Sequence, residues 1–266
     1  MLQFACGFIA GLVIVLVCAV IWLGRKRVRA DAGTSGQLEE LGRITGALAH
    51  EIKNPLSSVK VNLKLAEEEL RELSDTDRAR STNAVNRAVR KIAVVRQETD
   101  RVEHILESFL QYLDRAEPQL ARSDVNEIVS DMVDFYSPQA HSHSITIRHT
   151  LSTQPLICRV DSDMLKQAIL NLFINAQQAM GDGGELMVRT DKIDSEAVIQ
   201  ISDTGRGIPA EKQKLVFDAG YSSRPHGSGL GLPTARKIIE SQQGTITISS
   251  EPGKGTQFTI RLPLEN

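Results

Sequence analysis

The stretch LAHEIKNPLSSVK, residues 48–60, carries apolar residues at alternating spacings of four and three, with a proline inside the run. The spacing extends both ways through Leu41, Thr45, Leu48, Ile52, Leu56, Val59, Leu63, Ala66, Leu70 and Leu73. Such a seam predicts one long amphipathic helix. His50 lies ~200° around that helix from Leu48, at ~100° per residue, so it faces solvent. An exposed imidazole beside Glu51 suits a nucleophile with an adjacent base. From this stretch alone, a plain surface histidine on a helical bundle fits equally well. Pro55 removes the hydrogen bond to the Glu51 carbonyl and is expected to bend or loosen the helix there. The zinc-hydrolase pattern H-E-x-x-H is missed because position 54 is asparagine.

A second seam follows through Ala88, Ile92, Val95, Thr99, Val102, Leu106, Phe109 and Leu113. Ser74-Asp75-Thr76-Asp77 interrupts the two and supplies N-cap residue types for the second helix. Two such helices predict an antiparallel hairpin. One hairpin covers its own seam poorly, so a homodimer forming a four-helix bundle is expected. Pro118 ends the second pattern.

Upstream, Phe4 to Leu23 carries no charge. About 20 residues at ~1.5 Å rise span a hydrocarbon core of ~30 Å. The basic residues Arg25, Lys26, Arg27 and Arg29 follow the apolar run, unlike a cleaved leader with its basic start. The expectation is a single-pass anchor in the inner membrane with the remainder in the cytoplasm, leaving no room in this chain for an extracytoplasmic sensor. Trp22 suits an interfacial anchor. Gly7 and Gly11 form G-x-x-x-G, which fits a helix–helix contact or a plain anchor. Residues 25–37 read as a juxtamembrane linker.

Composition adds bounds. The 266 residues suit one large domain or two small ones, and the formal charge of −2 gives no footprint for nucleic acid. The three cysteines, Cys6, Cys18 and Cys158, show no metal-ligand spacing and read as reduced and structural. With 41% hydrophobic but only 4% aromatic residues, the cores are expected to be aliphatic and helix-rich.

Beyond residue 120 the pattern changes. Asp124–Tyr136 and Asp161–Met180 read as helices. Residues 145–151, 185–191, 197–202, 244–249 and 256–262 read as strands. This mixture predicts a separate α/β sandwich. The expected organisation is α+β: an anchor over 1–24, a linker over 25–37, a helical hairpin over 38–117 and a sandwich over 118–266.

Four segments of the sandwich carry chemistry. In NLFINA, Asn171 and Asn175 share one helical face and offer neutral oxygen ligands for Mg²⁺ beside phosphates; a plain polar face is the alternative. DTGRGI (203–208) puts Asp203 at a strand end, where a carboxylate can accept from an exocyclic amine. Its glycines allow close approach to a ring, or make a tight turn. GSGLGL (227–232) opens a helix, whose N–H groups suit phosphate. EPGKGTQF (251–258) alone would be a hairpin turn.

In this order and spacing, the four segments resemble the ATP-binding domain of histidine kinases, a Bergerat-type fold. HEIKNP and its hairpin resemble the dimerisation and phosphoacceptor domain of the same family. The resemblance covers about residues 38–264. It implies His50 as phosphoacceptor, Glu51 as the acid/base beside it, and Asn54 as the residue that positions water to dephosphorylate a response regulator. It implies Asn175 as the main Mg²⁺ ligand and Asn171 as its partner. Asp203 would bind adenine, with Gly205 and Gly207 around the base. Gly227, Gly229 and Gly231, with Leu230 between them, would line the phosphates, and Thr256 would stand near the adenine. Where relatives carry Phe-Phe-Thr-Thr-Lys, this chain has Gly220-Tyr221-Ser222-Ser223-Arg224, which makes Arg224 the replacement charge partner. Residues 204–229 are expected to act as a lid. The implied partners are a second copy and a response regulator. A nucleotide-binding scaffold and a different ATPase of the same superfamily are the competing readings.

Overall fold

Two patterned stretches, whose largely apolar stripes each include a single threonine, produce the longest elements. The computed structural model of the chain describes residues 35–71, 78–113, 117–222 and 228–265. Helix α1 spans Ser35–Arg71 and helix α2 spans Arg78–Leu113. The apolar run Phe4–Leu23, the basic residues behind it and the Ser74–Asp77 interruption lie outside the described residues. Among the described residues, no helix is long and apolar enough to cross a membrane. The chain divides into two compact units, Met1–Glu107 and Ser108–Asn266.

In the first unit α1 and α2 run antiparallel. Arg87 of α2 donates through Nε and Nη2 to Glu69 Oε2 of α1, at 2.7 and 2.6 Å. Further along, Arg101 of α2 acts electrostatically on Glu51 of α1. As numbers fall on one helix they rise on the other, which defines a hairpin. Leu48, Ile52, Ala66 and Ala88 of the expected seams are buried, together with Ile44, Pro55, Ala84 and Ile105 outside them. Leu70 and Ile92, also seam residues, are 42% and 50% exposed. The reason is geometric: each helix has one neighbour, so only part of a stripe that spans a ≳ 100° arc can be covered. Pro55 lies within a continuous α1. The expected disturbance does not interrupt the helix, because the apolar face on either side of Pro55 is buried.

The second unit is built on aspartate caps. Asp124 ends strand β1 (Ala121–Asp124), and its carboxylate accepts from the Asn126 N–H at 2.9 Å, starting α3 (Val125–Ser142). Asp161 accepts from the Asp163 and Met164 N–H groups, both at 3.1 Å, and starts α4 (Ser162–Ala179). Helix α3 continues past the expected end at Tyr136 and through Pro138. Its inward stripe of Val129, Met132, Val133, Tyr136 and Ala140 stays buried to the last turn.

Strands β2 (Ile145–Thr150), β4 (Gly184–Ile193), β5 (Glu196–Asp203), β6 (Thr245–Glu251) and β7 (Gly255–Pro263) form one sheet. Its order is β2-β4-β5-β7-β6, with β3 (Ile157–Val160) paired separately to β1. Only the β2–β4 pair is parallel among the five. The small β1–β3 sheet has four residues per strand, too short for alternation to reveal it. Inward residues of the large sheet (Leu186, Val188, Ile199, Ile201, Phe258, Ile260) share one apolar core with α3, α4 and α6 (Gly231–Ser241), the short α5 (Ala210–Gln213) lying between α4 and α6 in sequence. This gives the expected two-layer sandwich. Tyr136 and Phe173 stack at 5.4 Å within that core.

Two measurements test this packing. Phe173 is fully buried, so Phe173→Ala is expected to cost about 3–5 kcal/mol in denaturant unfolding of this unit. Burial, with smaller contributions from Asp124 and Glu265, pushes the Cys158 thiol up to about 11. The native state therefore keeps a proton that the unfolded chain loses near its ordinary value. That contribution is present below about pH 8.5 and is lost as pH rises towards 11. Stability measured across this range is expected to fall in the native protein and to fall less in Cys158→Ala, compared from each protein's own value at pH 8.

Candidate functional site

In the second unit the segments singled out by sequence converge on the ends of β5 and α4. Asp203 closes β5 and is 4% exposed. Its Oδ1 accepts the Gly205 N–H at 2.8 Å, which turns the chain sharply after the strand. The loop then packs on the end of α4, where the Ala179 carbonyl accepts from the Arg206 N–H at 3.3 Å. Gly207 has φ +69°, and a Cβ there would stand 2.0 Å from the Glu251 carbonyl oxygen. Only glycine permits this approach. Across the ladder, Thr256 of β7 pairs with Asp203 and is also 4% exposed. Asp203, Gly205, Gly207 and Thr256 therefore form one cluster.

A second cluster sits along α4. Asn171 and Asn175 are one turn apart and half-buried. Asn175 is engaged in a polar interaction. The Asn171 Nδ2 is buried without a hydrogen-bond partner. A buried amide donor left unpaired is unfavourable and is normally matched by a ligand or water. The first turn of α6 approaches this amide: an ideal Cβ on Gly231 would lie 3.8 Å from Asn171 Oδ1. No side chain caps α6. Its leading N–H groups, with the positive end of the helix dipole, suit an anion.

Gly229 precedes this helix at φ +59°, and its carbonyl accepts from the Gly220 N–H at 3.1 Å. Leu230 is buried, and its carbonyl accepts from the Thr234 N–H and Oγ1 at 2.9 and 2.7 Å. Arg224 and Gly227 lie outside the described residues. Among the described residues, no group of three His, Cys, Asp or Glu side chains is placed to hold a metal. The side-chain amides of Asn171 and Asn175 stand on α4, and that of Asn171 faces the uncapped start of α6.

The first unit carries the histidine. His50 is exposed on α1, Glu51 is half-buried, and Asn54 is exposed one turn further on. Burial pushes the Glu51 carboxyl up from the ordinary carboxylate range, against the opposing pull of Arg101. Its Oε1 is buried without a hydrogen-bond partner. A carboxyl with raised proton affinity beside an exposed imidazole is suited to proton exchange with it.

Sequence reasoning passed over Ser250 and Gln213. Gln213 Nε2 donates to the carbonyls of Ile208 and Ser250 at 3.0 and 2.7 Å, tying the Asp203 loop to β6. Neither residue has a local signal, because both act through partners distant in sequence. Gly207→Ala is expected to cost about 2 kcal/mol or more of stability and to weaken ATP binding at least tenfold. Thermal unfolding and equilibrium dialysis of the variant check both.

Comparison with known proteins agrees with this arrangement. Residues 40–118 match the His Kinase A (phospho-acceptor) domain family, and residues 160–266 match the histidine kinase-, DNA gyrase B-, and HSP90-like ATPase family. The sensor histidine kinase ZraS of Klebsiella oxytoca is 32% identical over 243 residues, covering 90% of this chain and 50% of that protein. ZraS of Escherichia coli (strain K12) is 30% identical over 240 residues, covering 90% and 49%. The chain thus spans about half the length of the curated relatives it matches. Among solved structures, histidine kinase ThkA, crystallised with response regulator protein TrrA, shares the fold. Its TM-score is 0.68 at 22% identity, over 86% of this chain and 64% of that one. With an exposed histidine on a helical hairpin of the phospho-acceptor family, followed in the chain by an ATPase-family sandwich, the chain belongs to the two-component sensor histidine kinases.

Proposed function

We propose that this chain is a membrane-anchored kinase that phosphorylates its own His50 from Mg-ATP and passes the phosphoryl group to an aspartate of a response regulator. Residues 4–23 anchor it in the inner membrane, 25–37 link, 38–117 dimerise and carry the histidine, and 118–266 bind the nucleotide. The observation that carries this reading is the pair on α1: an exposed His50 beside a Glu51 whose burial raises its affinity for a proton.

The nucleotide site fits the residues present. The unpaired Asn171 amide and the uncapped start of α6 suit phosphate oxygens. Asn171 and Asn175 supply oxygen ligands for Mg²⁺, with Gly227, Gly229, Leu230 and Gly231 on the phosphate side and Arg224 as an added charge. Asp203 accepts from the adenine amine, Gly205 and Gly207 leave room for the ring, and Thr256 stands beside them. Mg²⁺ held by Asn171 and Asn175 would supply neutralisation of phosphate charge as ADP departs. The chain's own contribution is positioning and proton handling. An imidazole nitrogen of His50 forms the new P–N bond as the bond to ADP breaks. Glu51 takes the imidazole proton or holds the reactive tautomer. Asn54, exposed one turn away, orients water when the regulator is dephosphorylated.

The test is direct. The purified full chain in detergent, given Mg²⁺ and γ-labelled ATP, is expected to acquire acid-labile, alkali-stable label. His50→Gln is expected to acquire none. Retention of label by that variant removes His50 as the acceptor; absence of label in the parent, with ATP bound, favours the scaffold reading.

A further inference from the structure

Two arginines of α2 meet carboxylates in opposite ways. Arg87 grips Glu69 through two N–H groups at 2.7 and 2.6 Å, the geometry of a tight ion pair that joins two helices. Arg101 makes no such grip. Its Nη1 stands 3.5 Å from Glu98 Oε2, one turn back on the same helix, too far for a charge-assisted hydrogen bond. Its Nε is buried without a hydrogen-bond partner, and so is that Glu98 oxygen. Across the hairpin, Glu51 Oε1 is buried without a partner as well. Three charged side chains are thus withdrawn from water with hydrogen-bonding capacity unused.

As a fastening this arrangement is poor. Burying charges costs more than a long, imperfect pair returns, and apolar side chains of similar size would stabilise the hairpin as well or better. What it supplies is a positive charge near a carboxyl in a partly desolvated place, where charges act strongly on one another. Burial raises the proton affinity of Glu51, and Arg101 opposes that rise. The other charged side chains close by on α1, His50 and Lys53, are exposed. Both tasks given to Glu51 above, taking the imidazole proton or holding the reactive tautomer, need the carboxylate rather than the acid. A carboxylate clasped by a guanidinium is ionised but a weak base; one buried with no positive charge nearby keeps its proton. Arg101, paired with Glu98 and acting on Glu51 across space, stands between these extremes and leaves Oε1 open.

We propose that Arg101 is a positioning residue for the reaction at His50. Held back by Glu98, its guanidinium keeps Glu51 a carboxylate with an open oxygen available to the imidazole. The proposal rests on the kinase reading given above.

Labelling of the full chain in detergent with Mg²⁺ and γ-labelled ATP tests it, read as the rate at saturating ATP and the KM for ATP. Arg101→Met keeps the length of the side chain and removes its charge. It is expected to slow labelling at least about tenfold, part of the ~10²–10⁴ that acid–base assistance contributes, with the KM and the melting temperature unchanged. Arg101→Lys, which keeps the charge, is expected to recover most of the rate. In a Glu51→Gln background, Arg101→Met is expected to slow labelling no further, because the two side chains act as one unit. If Arg101→Met slows labelling equally with and without the Glu51 carboxyl, or if Arg101→Lys fails to rescue it, Arg101 is only structural and the proposal fails. An unchanged rate in Arg101→Met also overturns it. Labelling of Glu51→Gln at the parent rate removes the role of Glu51, and this inference with it, while His50 stays the acceptor. Absence of label in the parent chain with ATP bound removes the kinase reading itself.

Discussion

The register of β5 against β7 is the constraint on which the rest of the second unit depends. Asp203 pairs with Thr256, and Gly255 follows the turn so closely that a Cβ on it would fall 1.8 Å from the Asp203 carbonyl oxygen. Gly255 has φ +100°, a conformation in which a side chain would be strained as well as obstructed. A slip of one residue would send Asp203 and Thr256 to opposite faces. The same slip would turn either Ile199 and Ile201 or Phe258 and Ile260 out of the core. The core therefore enforces the site. The apolar residues that stabilise the sandwich and the polar residues proposed for the nucleobase share one face of the same two strands.

The hairpin follows a different rule. Its helices present exposed Val61, Leu65, Leu70, Val85, Val89 and Ile92, a concentration of apolar surface that a lone hairpin leaves in water. Such a surface is unfavourable unless another copy covers it, which supports the expected four-helix bundle. Glu51 illustrates how an amphipathic helix can set chemistry at the boundary of its two faces. His50 stands in solvent. Glu51, one residue on, is turned partly into the hairpin, where desolvation raises its proton affinity. One step of helical rotation separates an accessible imidazole from a tuned carboxyl.

Much of this was legible in the chain. Both long helices, the helix starts at Asp124 and Asp161, and the five strands of the large sheet follow from periodicity and capping residues. The misses share a cause. The short β1 and β3 strands are too brief for alternation to show. Helix α3 runs past the expected end at Tyr136 because its buried stripe continues to Ala140. The hairpin seams were read as continuous, but Leu70 and Ile92 are exposed while Ile44 and Ile105 are buried, because which part of a wide stripe is covered depends on the neighbour.

The residue types and their order determined the family, the helical hairpin, the sandwich and the identity of the candidate site residues, because capping, periodicity and glycine-rich turns act over a few residues. Only the tertiary structure decided that Glu51 is desolvated while His50 is not, that the Asn171 amide is buried unpaired beside the start of α6, and that Ser250 joins Ile208, Gly255 and Thr256 in one hydrogen-bonded corner. Each of these depends on groups far apart in the chain, and neither burial nor a hydrogen-bond partner is a property of a residue until its neighbours are in place.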